Sequence, residues 1–367
     1  GTVVLKAECL QRTGSFKLRG ALEKLRHLPA DTRGVIAGSA GNHGQSLAYA
    51  ARARGISCEV YMPLDAPVSK SAAVSAFGAQ VHREGESVED CLTLARQRAL
   101  QSGLEFVHPF DDEDVIAGQG GVGIELCEQV PDLSQVLVPI GGGGLASGLA
   151  VAIKDRRPEV RIVGVQASAC AAVVESLRGG GSVQLKAGPT IADGIAVKRP
   201  GEKTLALIER LLDDLVCVSE EEIAEAMVFA LERSKLVVEG AGAASLAALL
   251  SSRVKPPPSG ATVAVLSGGN VDIGLLAGIA ARQETRAGRR VRLFTHIRDR
   301  PGGLASLLAA VAHSQANVIA VEHIRDGVPL AFSESGLALT IETRGPNHLA
   351  SVLEQLRGAG YEIREEQ

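Results

Sequence analysis

A lysine at a loop-to-helix junction is the first residue of the chain that could do covalent chemistry. Lys17 lies in the segment Thr-Gly-Ser-Phe-Lys-Leu-Arg-Gly at residues 13–20, after an apolar strand pattern at residues 3–7 and at the start of a helical pattern. Glycine lets a backbone approach a ligand closely, and a helix start offers free N–H groups to an anion. Because most lysines at such junctions only begin a solvated helix, a function for Lys17 depends on partners elsewhere in the chain.

Consecutive glycines form the second candidate, between a strand pattern and a helical pattern. The loop consists of Gly141, Gly142, Gly143, Gly144 and Leu145. Successive N–H groups at a helix start suit a phosphate group. The loop also fits the dinucleotide motif G-x-G-x-x-A, but that motif needs Asp or Glu at the end of the following strand, where this chain has Gln166. We therefore expect a monophosphate in preference to NAD.

Two further loops follow strand patterns and offer hydrogen-bonding groups. The first contains Ser39, Ala40, Gly41, Asn42 and His43. Its N–H groups could hold a carboxylate and the Asn42 side chain adds an amide, although the same residues also suit an ordinary helix cap. The second loop begins with Ser267, whose hydroxyl could face a ligand ring. His43 alone is more often structural than catalytic.

These loops lie in a chain with alternating strand and helix patterns. Short apolar runs occur at residues 35–37, 58–62, 105–107, 136–140, 161–165, 215–218 and 262–266. Helix-length amphipathic segments lie between them, and this alternation predicts an α/β fold with a mainly parallel sheet. Ligands bind to such sheets at the loops beyond the C-terminal ends of the strands. The loops at residues 38–42, 141–144 and 267–270 are therefore the ones expected to carry ligand-binding groups.

The composition excludes several classes of protein. Among 367 residues, 46% are hydrophobic, and the net charge of −4 is too small for a surface that binds nucleic acid or membranes. The sequence contains no run of about 18 apolar residues, so no membrane span is predicted. The six cysteines form no C-x-x-C pair, so we expect reduced thiols in a cytoplasmic protein, without disulfides or a zinc site. The chain begins with Gly1 beside a strand pattern, so we expect an N-terminal piece to be missing.

A smaller unit follows the charged residues 283–290, which we interpret as a linker. Its elements are expected at residues 291–297, 304–313, 317–325, 337–342 and 348–357, followed by a short strand at Tyr361 and Ile363. The predicted order β-α-β-β-α-β is that of a ferredoxin-like domain.

An imine-forming lysine, a monophosphate nest, a carboxylate-binding loop and a ring-facing hydroxyl together suit pyridoxal phosphate bound with an amino acid. Motifs of the chain also resemble, in the same order, those of the threonine dehydratase (threonine ammonia-lyase) family, which are fold-type II enzymes that use pyridoxal 5'-phosphate. These motifs lie at residues 15–21, 39–43, 118–120, 141–145 and 267–270, within a resemblance that covers residues 3–280. Residues 291–367 resemble an ACT domain, a small amino-acid-binding regulatory module, by their element order and by Asp-Arg-Pro-Gly at residues 299–302.

The resemblance implies a domain organisation. Residues 1–282 would form a two-lobed catalytic domain of the tryptophan synthase beta type, with a small lobe at roughly residues 32–118 inserted in the large lobe. Residues 283–290 would be the linker, and residues 291–367 would be the ACT-like regulatory domain. Relatives of this kind are commonly dimers or tetramers, so a homo-oligomer is expected.

The resemblance also implies a role for each matching residue. Lys17 would hold the cofactor as a Schiff base and, once the substrate amine displaces it, would remove the Cα proton. The glycine loop with Leu145 would hold the cofactor phosphate, Asn42 would bond the ring oxygen, and the loop at residues 39–43 would hold the substrate carboxylate. Ser267 would face the pyridine nitrogen. A neutral hydroxyl leaves that nitrogen unprotonated, which suits β-elimination better than transamination.

The implied reaction is β-elimination of L-threonine to 2-oxobutanoate and ammonia, with L-serine to pyruvate as a side activity. An amino acid, isoleucine or valine, would regulate the enzyme by binding to the ACT-like domain. Its expected site is the turn that contains Asp299, Pro301, Gly302 and Gly303. The alternative for this domain is an oligomerisation module without an effector.

Departures from related families narrow the reaction. In the related serine racemases a serine acts as acid and base where this chain has Ala40, and acidic metal ligands stand where it has Gln166 and Ala172. These departures speak against racemisation and against a metal site of that kind. The open alternatives are a dehydratase for another 3-hydroxy amino acid, such as serine or 3-hydroxyaspartate, an NAD-dependent oxidoreductase, and a catalytically inactive amino-acid sensor.

Overall fold

Short strands alternate with helices through the first unit of the chain, Gly1–Asp272. The computed structural model describes residues 1–186, 188–325, 331 and 333–366. The strands of this unit are β1 (Thr2–Ala7), β2 (Gly34–Gly38), β3 (Ser57–Met62), β4 (Gln80–Arg83), β5 (Glu105–Phe106), β6 (Leu133–Pro139), β7 (Arg161–Ala167), β8 (Asp214–Val218) and β9 (Ala261–Leu266). Its helices are α1 (Lys17–His27), α2 (Asn42–Arg54), α3 (Val68–Ala76), α4 (Val88–Ser102), α5 (Glu113–Gln129), α6 (Gly144–Arg156), α7 (Ala172–Gly179), α8 (Glu202–Leu211), α9 (Glu220–Phe229) and α10 (Gly240–Leu250).

The larger sheet of this unit is parallel throughout, in the spatial order β1-β9-β6-β7-β8. Every residue of β9 is buried, as is every residue of β7 except Arg161. Both faces of the sheet are therefore covered, as continuous runs of Val, Ile and Leu predict. The predicted α/β fold with a parallel sheet is confirmed. Because parallel strands end at the same edge, the loops that follow β1, β9 and β6 are neighbours.

The smaller sheet has the order β4-β3-β2-β5 and is also parallel. Its core includes Val35 of β2, Leu47 of α2 and Val60 of β3. Sequence patterns do not predict β4, because three of its four residues are polar and this edge strand is only partly buried. An edge strand that is half solvated has no apolar run to reveal it.

Helices α1, α5 and α6 pack closely through glycine. A Cβ at Gly148 of α6 would lie 2.1 Å from the carbonyl oxygen of Ile116 on α5, and a Cβ at Gly118 of α5 would lie 2.6 Å from the carbonyl oxygen of Arg19 on α1. Any larger side chain at either position would push the helices apart. This contact sets the distance between the first turns of α1 and α6, which carry the lysine and the glycine loop.

The second unit, Ile273–Gln367, contains an antiparallel sheet with helices. Its elements are α11 (Ile273–Arg286), β10 (Arg290–Arg298), α12 (Gly303–His313), β11 (Asn317–Ile324), β12 (Glu334–Glu342), α13 (Pro346–Gly358) and β13 (Arg364–Glu366). The sheet order is β11-β12-β10-β13, and Leu293, Leu307 and Val352 belong to its apolar core. The ferredoxin-like prediction is confirmed from β10 onwards. The last strand begins three residues after Tyr361, which packs against the core instead.

The prediction of a linker at residues 283–290 is wrong for its first half. Helix α11 continues to Arg286, β10 begins at Arg290, and the boundary between the two units follows Asp272. Nε of Arg289 donates to Oε2 of Glu284 at 2.7 Å, so the charged residues that suggested a linker include an ion pair at an exposed helix end. A solvated helix end and a linker have the same charged composition, so the sequence alone does not distinguish them.

Candidate active site

Backbone hydrogen bonds join the segment before Lys17 to the loop after β9. The N–H of Phe16 donates to the carbonyl oxygen of Ser267 at 3.0 Å. A second backbone hydrogen bond and an antiparallel bridge connect residues 14–15 with residues 268–269. Lys17 therefore begins α1 at the carboxyl edge of the larger sheet, beside the end of β9.

The Lys17 side chain points to the loop between β5 and α5. Its Nζ donates to the carbonyl oxygen of Pro109 at 2.7 Å. Burial lowers the pKa of Lys17 to about 8, against the opposing effect of the Glu239 carboxylate. The next residue, Phe110, packs on the glycine loop, because a Cβ at Gly142 would lie 2.3 Å from its ring. Pro109 and Phe110 thus bring the lysine and the glycine loop to the same place.

Neighbouring side chains hold the glycine loop in position. Oγ1 of the fully buried Thr204 donates to the carbonyl oxygen of Gly142 at 2.6 Å. Gly143 has a φ of 95°, a left-handed conformation that favours glycine, and α6 begins at Gly144. The first N–H groups of a helix have no acceptor within the helix, so those of Gly144 and Leu145 can bind an anion.

Ser39 organises the loop predicted to hold a carboxylate. Its Oγ accepts hydrogen bonds from the N–H of Gly41 at 3.2 Å and from the N–H of Gly44 at 3.1 Å. Helix α2 begins at Asn42, so the N–H groups of Asn42 and His43 have no acceptor within the helix. A Cβ at Gly41 would meet no atom within 4 Å, so the loop borders open space. The N–H groups at the start of α2 are the ones open to an anion.

The His43 side chain has a structural role. Its Nε2 donates to the carbonyl oxygen of Val107 at 3.0 Å, and burial lowers the pKa of His43 to about 3. The ring is therefore neutral near pH 7 and its one N–H is already used. His43 can bind a substrate through its backbone N–H, whereas Ala40, half-buried in the same loop, has no polar side-chain atom.

Glu239 is a site residue that the sequence patterns do not predict. Its Oε1 accepts a hydrogen bond from Asn42 Nδ2 at 2.7 Å, and the residue is only 5% exposed. Burial, with a contribution from Asp193, raises the pKa of Glu239 to about 7. The feature of the sequence that could have indicated Glu239 is its position as a charged residue directly before the apolar helix α10. A carboxylate 197 residues from its partner forms no motif with it.

The residues brought together fit pyridoxal 5'-phosphate. An aldehyde needs an amine, which Lys17 provides, and a monophosphate needs N–H donors, which the start of α6 provides. Ser267, 3% exposed, lies at the end of β9 between the lysine segment and the glycine loop. Gly268 leaves room for the Glu239 carboxylate, because a Cβ at position 268 would lie 2.2 Å from Glu239 Oε1 and the carboxylate would have to move.

Gln166 stands where NAD enzymes have an acidic residue. Its side-chain amide makes hydrogen bonds with backbone groups. Its Oε1 accepts from the N–H groups of Val173 and Val174 at 3.1 and 3.0 Å, and its Nε2 donates to the carbonyl oxygen of Ile140 at 3.3 Å. Gln166 thus caps the start of α7 and holds it to the end of β6. Across the described part of the chain, no three His, Cys, Asp or Glu side chains cluster as a metal site would require.

The turn predicted to bind an effector borders a cavity within the second unit. The cavity has a volume of about 380 Å³, and its wall includes Asp299, Gly302, Leu304 and Leu308. Asp299 also accepts a hydrogen bond from Arg325 Nη2 at 3.2 Å. Gly302, with a φ of 88°, directly precedes α12. The other two predicted effector residues, Pro301 and Gly303, directly precede and follow Gly302 in the chain.

The chain is similar to known proteins along most of its length. Residues 1–268 match the family described as pyridoxal-phosphate dependent enzyme, and residues 291–360 match the ACT domain. The L-threonine ammonia-lyase of Thermotoga maritima is 44% identical over an alignment of 369 residues, which covers 99% of this chain and 91% of that protein. Among solved structures, the processed form of threonine deaminase isoform 2 from Solanum lycopersicum is 35% identical with a TM-score of 0.71, and the match covers 76% of this chain and 82% of that chain.

A racemase is also similar. The structure of maize serine racemase is 34% identical with a TM-score of 0.72, and the match covers 77% of this chain and 88% of that chain. Overall similarity therefore does not separate elimination from racemisation, and the site residues have to do so.

Replacing Lys17 by Met should stabilise the cofactor-free protein at pH 7. The pKa of Lys17 is about 8 in the folded protein, against an ordinary value of 10.5, so folding disfavours the charged amine. The stability of the wild type should rise between those pH values, because the folded amine loses its proton before the unfolded one. The variant should gain about 3 kcal/mol in the free energy of unfolding at pH 7, measured by urea denaturation.

The matched control is Lys255→Met at an exposed lysine, which should change the free energy of unfolding by less than about 0.5 kcal/mol. The gain from Lys17→Met should disappear above pH 10.5, where the amine is neutral in both states. An equal gain at pH 7 and above pH 10.5 would show that the buried charge is not its cause.

Proposed function

The chain belongs to the family of pyridoxal-phosphate-dependent enzymes with an ACT domain behind the catalytic part, and from this premise we propose that it is an L-threonine ammonia-lyase. It converts L-threonine to 2-oxobutanoate and ammonia, with L-serine to pyruvate as a side activity. The observation that carries the proposal is the buried Lys17 amine, with a pKa lowered to about 8, next to a phosphate-binding loop. The full-length similarity to an L-threonine ammonia-lyase supports the substrate.

Lys17 would serve both as the attachment point of the cofactor and as the base. Bound there, pyridoxal phosphate supplies an electron-withdrawing group that makes the Cα–H bond of the amino acid acidic. Once free, the Lys17 amine accepts the Cα proton at Nζ. A pKa of about 8 leaves an appreciable neutral fraction near pH 7, which a base requires. Its neighbour Pro109 provides the carbonyl that orients the amine.

Substrate and cofactor binding would follow from the remaining loops. The N–H groups of Asn42 and His43 at the start of α2 hold the substrate carboxylate, and the N–H groups at the start of α6 hold the phosphate. Ser267 offers a neutral hydroxyl to the pyridine nitrogen. Without an acidic partner, that nitrogen draws less electron density, so loss of a leaving group from Cβ is favoured over transamination.

Elimination is favoured over racemisation by the residue at position 40. Racemisation needs a second acid on the face opposite Lys17, and Ala40 has no exchangeable side-chain proton. The neighbouring Ser39 has its Oγ turned to the backbone of the loop, where it accepts from the N–H groups of Gly41 and Gly44. A proton removed by Lys17 is therefore returned, if at all, by the same residue on the same face.

We extend the proposal to regulation by an amino acid at the second unit. The cavity at Asp299 has a volume of about 380 Å³, which is enough for a small amino acid. Its wall combines apolar side chains, Leu304 and Leu308, with the charged groups of Asp299 and Arg298. Such a wall suits a zwitterion with an aliphatic side chain, as in isoleucine or valine.

We also propose that the protein is a homo-oligomer, a dimer or a tetramer. An apolar groove of about 580 Å³ is lined by residues of α5, α6 and α8, including Ile124 and Val151, which is 43% exposed. The charged residues in its lining form two ion pairs within the chain, Lys203 with Glu113 at 2.6 Å and Arg156 with Asp155 at 3.7 Å. An apolar groove whose charges are already paired can face a second copy of itself across a two-fold axis without leaving a charge unpaired.

A cytoplasmic location completes the proposal. Within the described ranges, no helix has the length and apolar character needed to cross a membrane. All six cysteines are free thiols, as in a reducing compartment. Recovery of the protein from the membrane or secreted fraction of cells would contradict this location.

Turnover of an amino-acid panel tests the reaction. The protein loaded with pyridoxal phosphate should release ammonia and 2-oxobutanoate from L-threonine, with lower kcat/KM for L-serine and 3-hydroxyaspartate. Lys17→Ala should lower kcat by about 10³-fold or more, because the base is lost. Turnover of another member of the panel but not of threonine would contradict the substrate. Ammonia release from no member would favour an amino-acid sensor instead.

Effector binding can be measured on the same full-length protein. Isoleucine or valine should bind at micromolar to millimolar concentration by calorimetry and change the threonine saturation curve. Asp299→Ala should weaken this binding at least about tenfold, since it removes a charged hydrogen-bonding partner, while kcat without effector stays unchanged. The exposed Asp31→Ala is the control. Heats of binding that are identical for wild type and Asp299→Ala would refute the proposed site.

Light scattering can establish the oligomeric state. The wild type should have the mass of a dimer or tetramer, and Val151→Asp should lower that mass by burying an unpaired charge in the groove. Leu100→Asp, at a leucine 89% exposed on α4, should leave the mass unchanged. A monomeric wild type, or a Val151→Asp variant with the wild-type mass, would show that the groove is no interface.

A further inference from the structure

The side-chain amide of Asn42 is held at both ends. Its Oδ1 accepts a hydrogen bond from Asn270 Nδ2 at 2.7 Å, and its Nδ2 donates to Glu239 Oε1 at 2.7 Å. Asn270 Nδ2 in turn donates to the carbonyl oxygen of Thr13 at 2.7 Å. The amide is therefore fixed between the start of α10, the loop after β9 and the segment that leads to Lys17.

A count of donors and acceptors shows which hydrogen-bonding group of the Asn42 amide is still unused. An asparagine side chain has two N–H donors and one carbonyl oxygen. One N–H of Asn42 goes to Glu239 and the carbonyl goes to Asn270, so one N–H is left. The opposite orientation would place the Asn42 carbonyl against the Glu239 carboxylate and the Asn42 NH₂ against the Asn270 NH₂. Two acceptors would then face each other at the ionised Glu239 and two donors at Asn270, so the ionised carboxylate and the Asn270 amide together select the orientation.

Glu239 is itself held firmly. Its backbone N–H donates to the carbonyl oxygen of Gly268 at 3.0 Å, and Gly268 has no Cβ that would displace the carboxylate. Three charged groups act on this carboxylate, namely Lys17, Asp193 and Lys70. Asn42 is the side chain that donates a hydrogen bond to it.

We propose that Glu239 is a positioning residue, which turns Asn42 so that an amide N–H, and not the carbonyl, meets the ring oxygen of the cofactor. The inference rests on the proposed function, in which Asn42 binds that oxygen. An N–H donor stabilises the ring oxygen as an anion, whereas a carbonyl there would repel an anion and favour the protonated phenol. Glu239 thus determines the protonation state of the ring oxygen without touching it.

Glu239→Leu and Glu239→Gln, compared in the full-length protein with added pyridoxal phosphate, test this role. Leucine removes the acceptor, so the absorbance should shift from the violet band of the anionic ring oxygen to the near-ultraviolet band of the phenol. The dissociation constant of pyridoxal phosphate should rise about tenfold, and kcat should fall while KM for threonine changes less than about threefold. Glutamine keeps a carbonyl acceptor, so Glu239→Gln should recover most of the wild-type spectrum.

A matched control is Glu59→Leu, at a largely buried glutamate that binds His82 and Arg98 in the smaller sheet. It should lower stability and leave the spectrum unchanged. If Glu239→Leu does not fold, Asn270→Ala removes the other anchor of the amide and should shift the spectrum in the same direction. An unchanged band ratio in the variant that folds would overturn the proposal, as would a Glu239→Gln spectrum identical to that of Glu239→Leu.

The wild type separates this inference from the proposed function. Borohydride should fix the cofactor covalently to Lys17, which peptide mass spectrometry would detect. Absence of that adduct in the wild type would refute the cofactor role of Lys17 itself. Its presence, with an unaltered spectrum in Glu239→Leu, would refute only the role of Glu239.

Discussion

The backbone pairing of residues 14–16 with residues 267–269 is the constraint on which the site depends. It attaches the start of α1 to the end of β9, next to β6 and its glycine loop. A lysine side chain is long and flexible, and its amine has a defined position only if its backbone has one. Here two parts of the chain that are distant in sequence supply that position, so the position of the Lys17 amine depends on the completed larger sheet.

Burial affects the two ionisable groups of the site in a consistent way. It lowers the pKa of Lys17 and raises that of Glu239, because a poorly solvated environment disfavours charge of either sign. Both groups are therefore near the point at which they exchange protons at neutral pH. For a base this is useful, since a fully protonated amine cannot accept a proton. Burying these two ionisable groups also lowers the free energy of unfolding. A site whose chemistry needs them tolerates that loss of stability.

Glycine serves two different purposes around the site. Gly143 allows a left-handed turn before α6, whose first N–H groups have no acceptor within the helix. Gly148, Gly118 and Gly268 instead remove a Cβ where another group must come close, a helix backbone in two cases and the Glu239 carboxylate in the third. Positioning and binding thus use the same residue type for distinct steric reasons, and the sequence alone does not tell them apart.

The sequence by itself determined the classes of structure and the cofactor, and it supplied candidate residues for the chemistry. Alternating apolar runs predicted the parallel sheet, and motifs at Lys17 and residues 141–145 predicted a cofactor, because both depend on local patterns along the chain. Only the tertiary structure revealed Glu239 beside Asn42, the structural hydrogen bond of His43 and the helix that replaces half of the predicted linker. These depend on contacts between distant residues and on burial, and neither quantity is encoded in spacing along the chain.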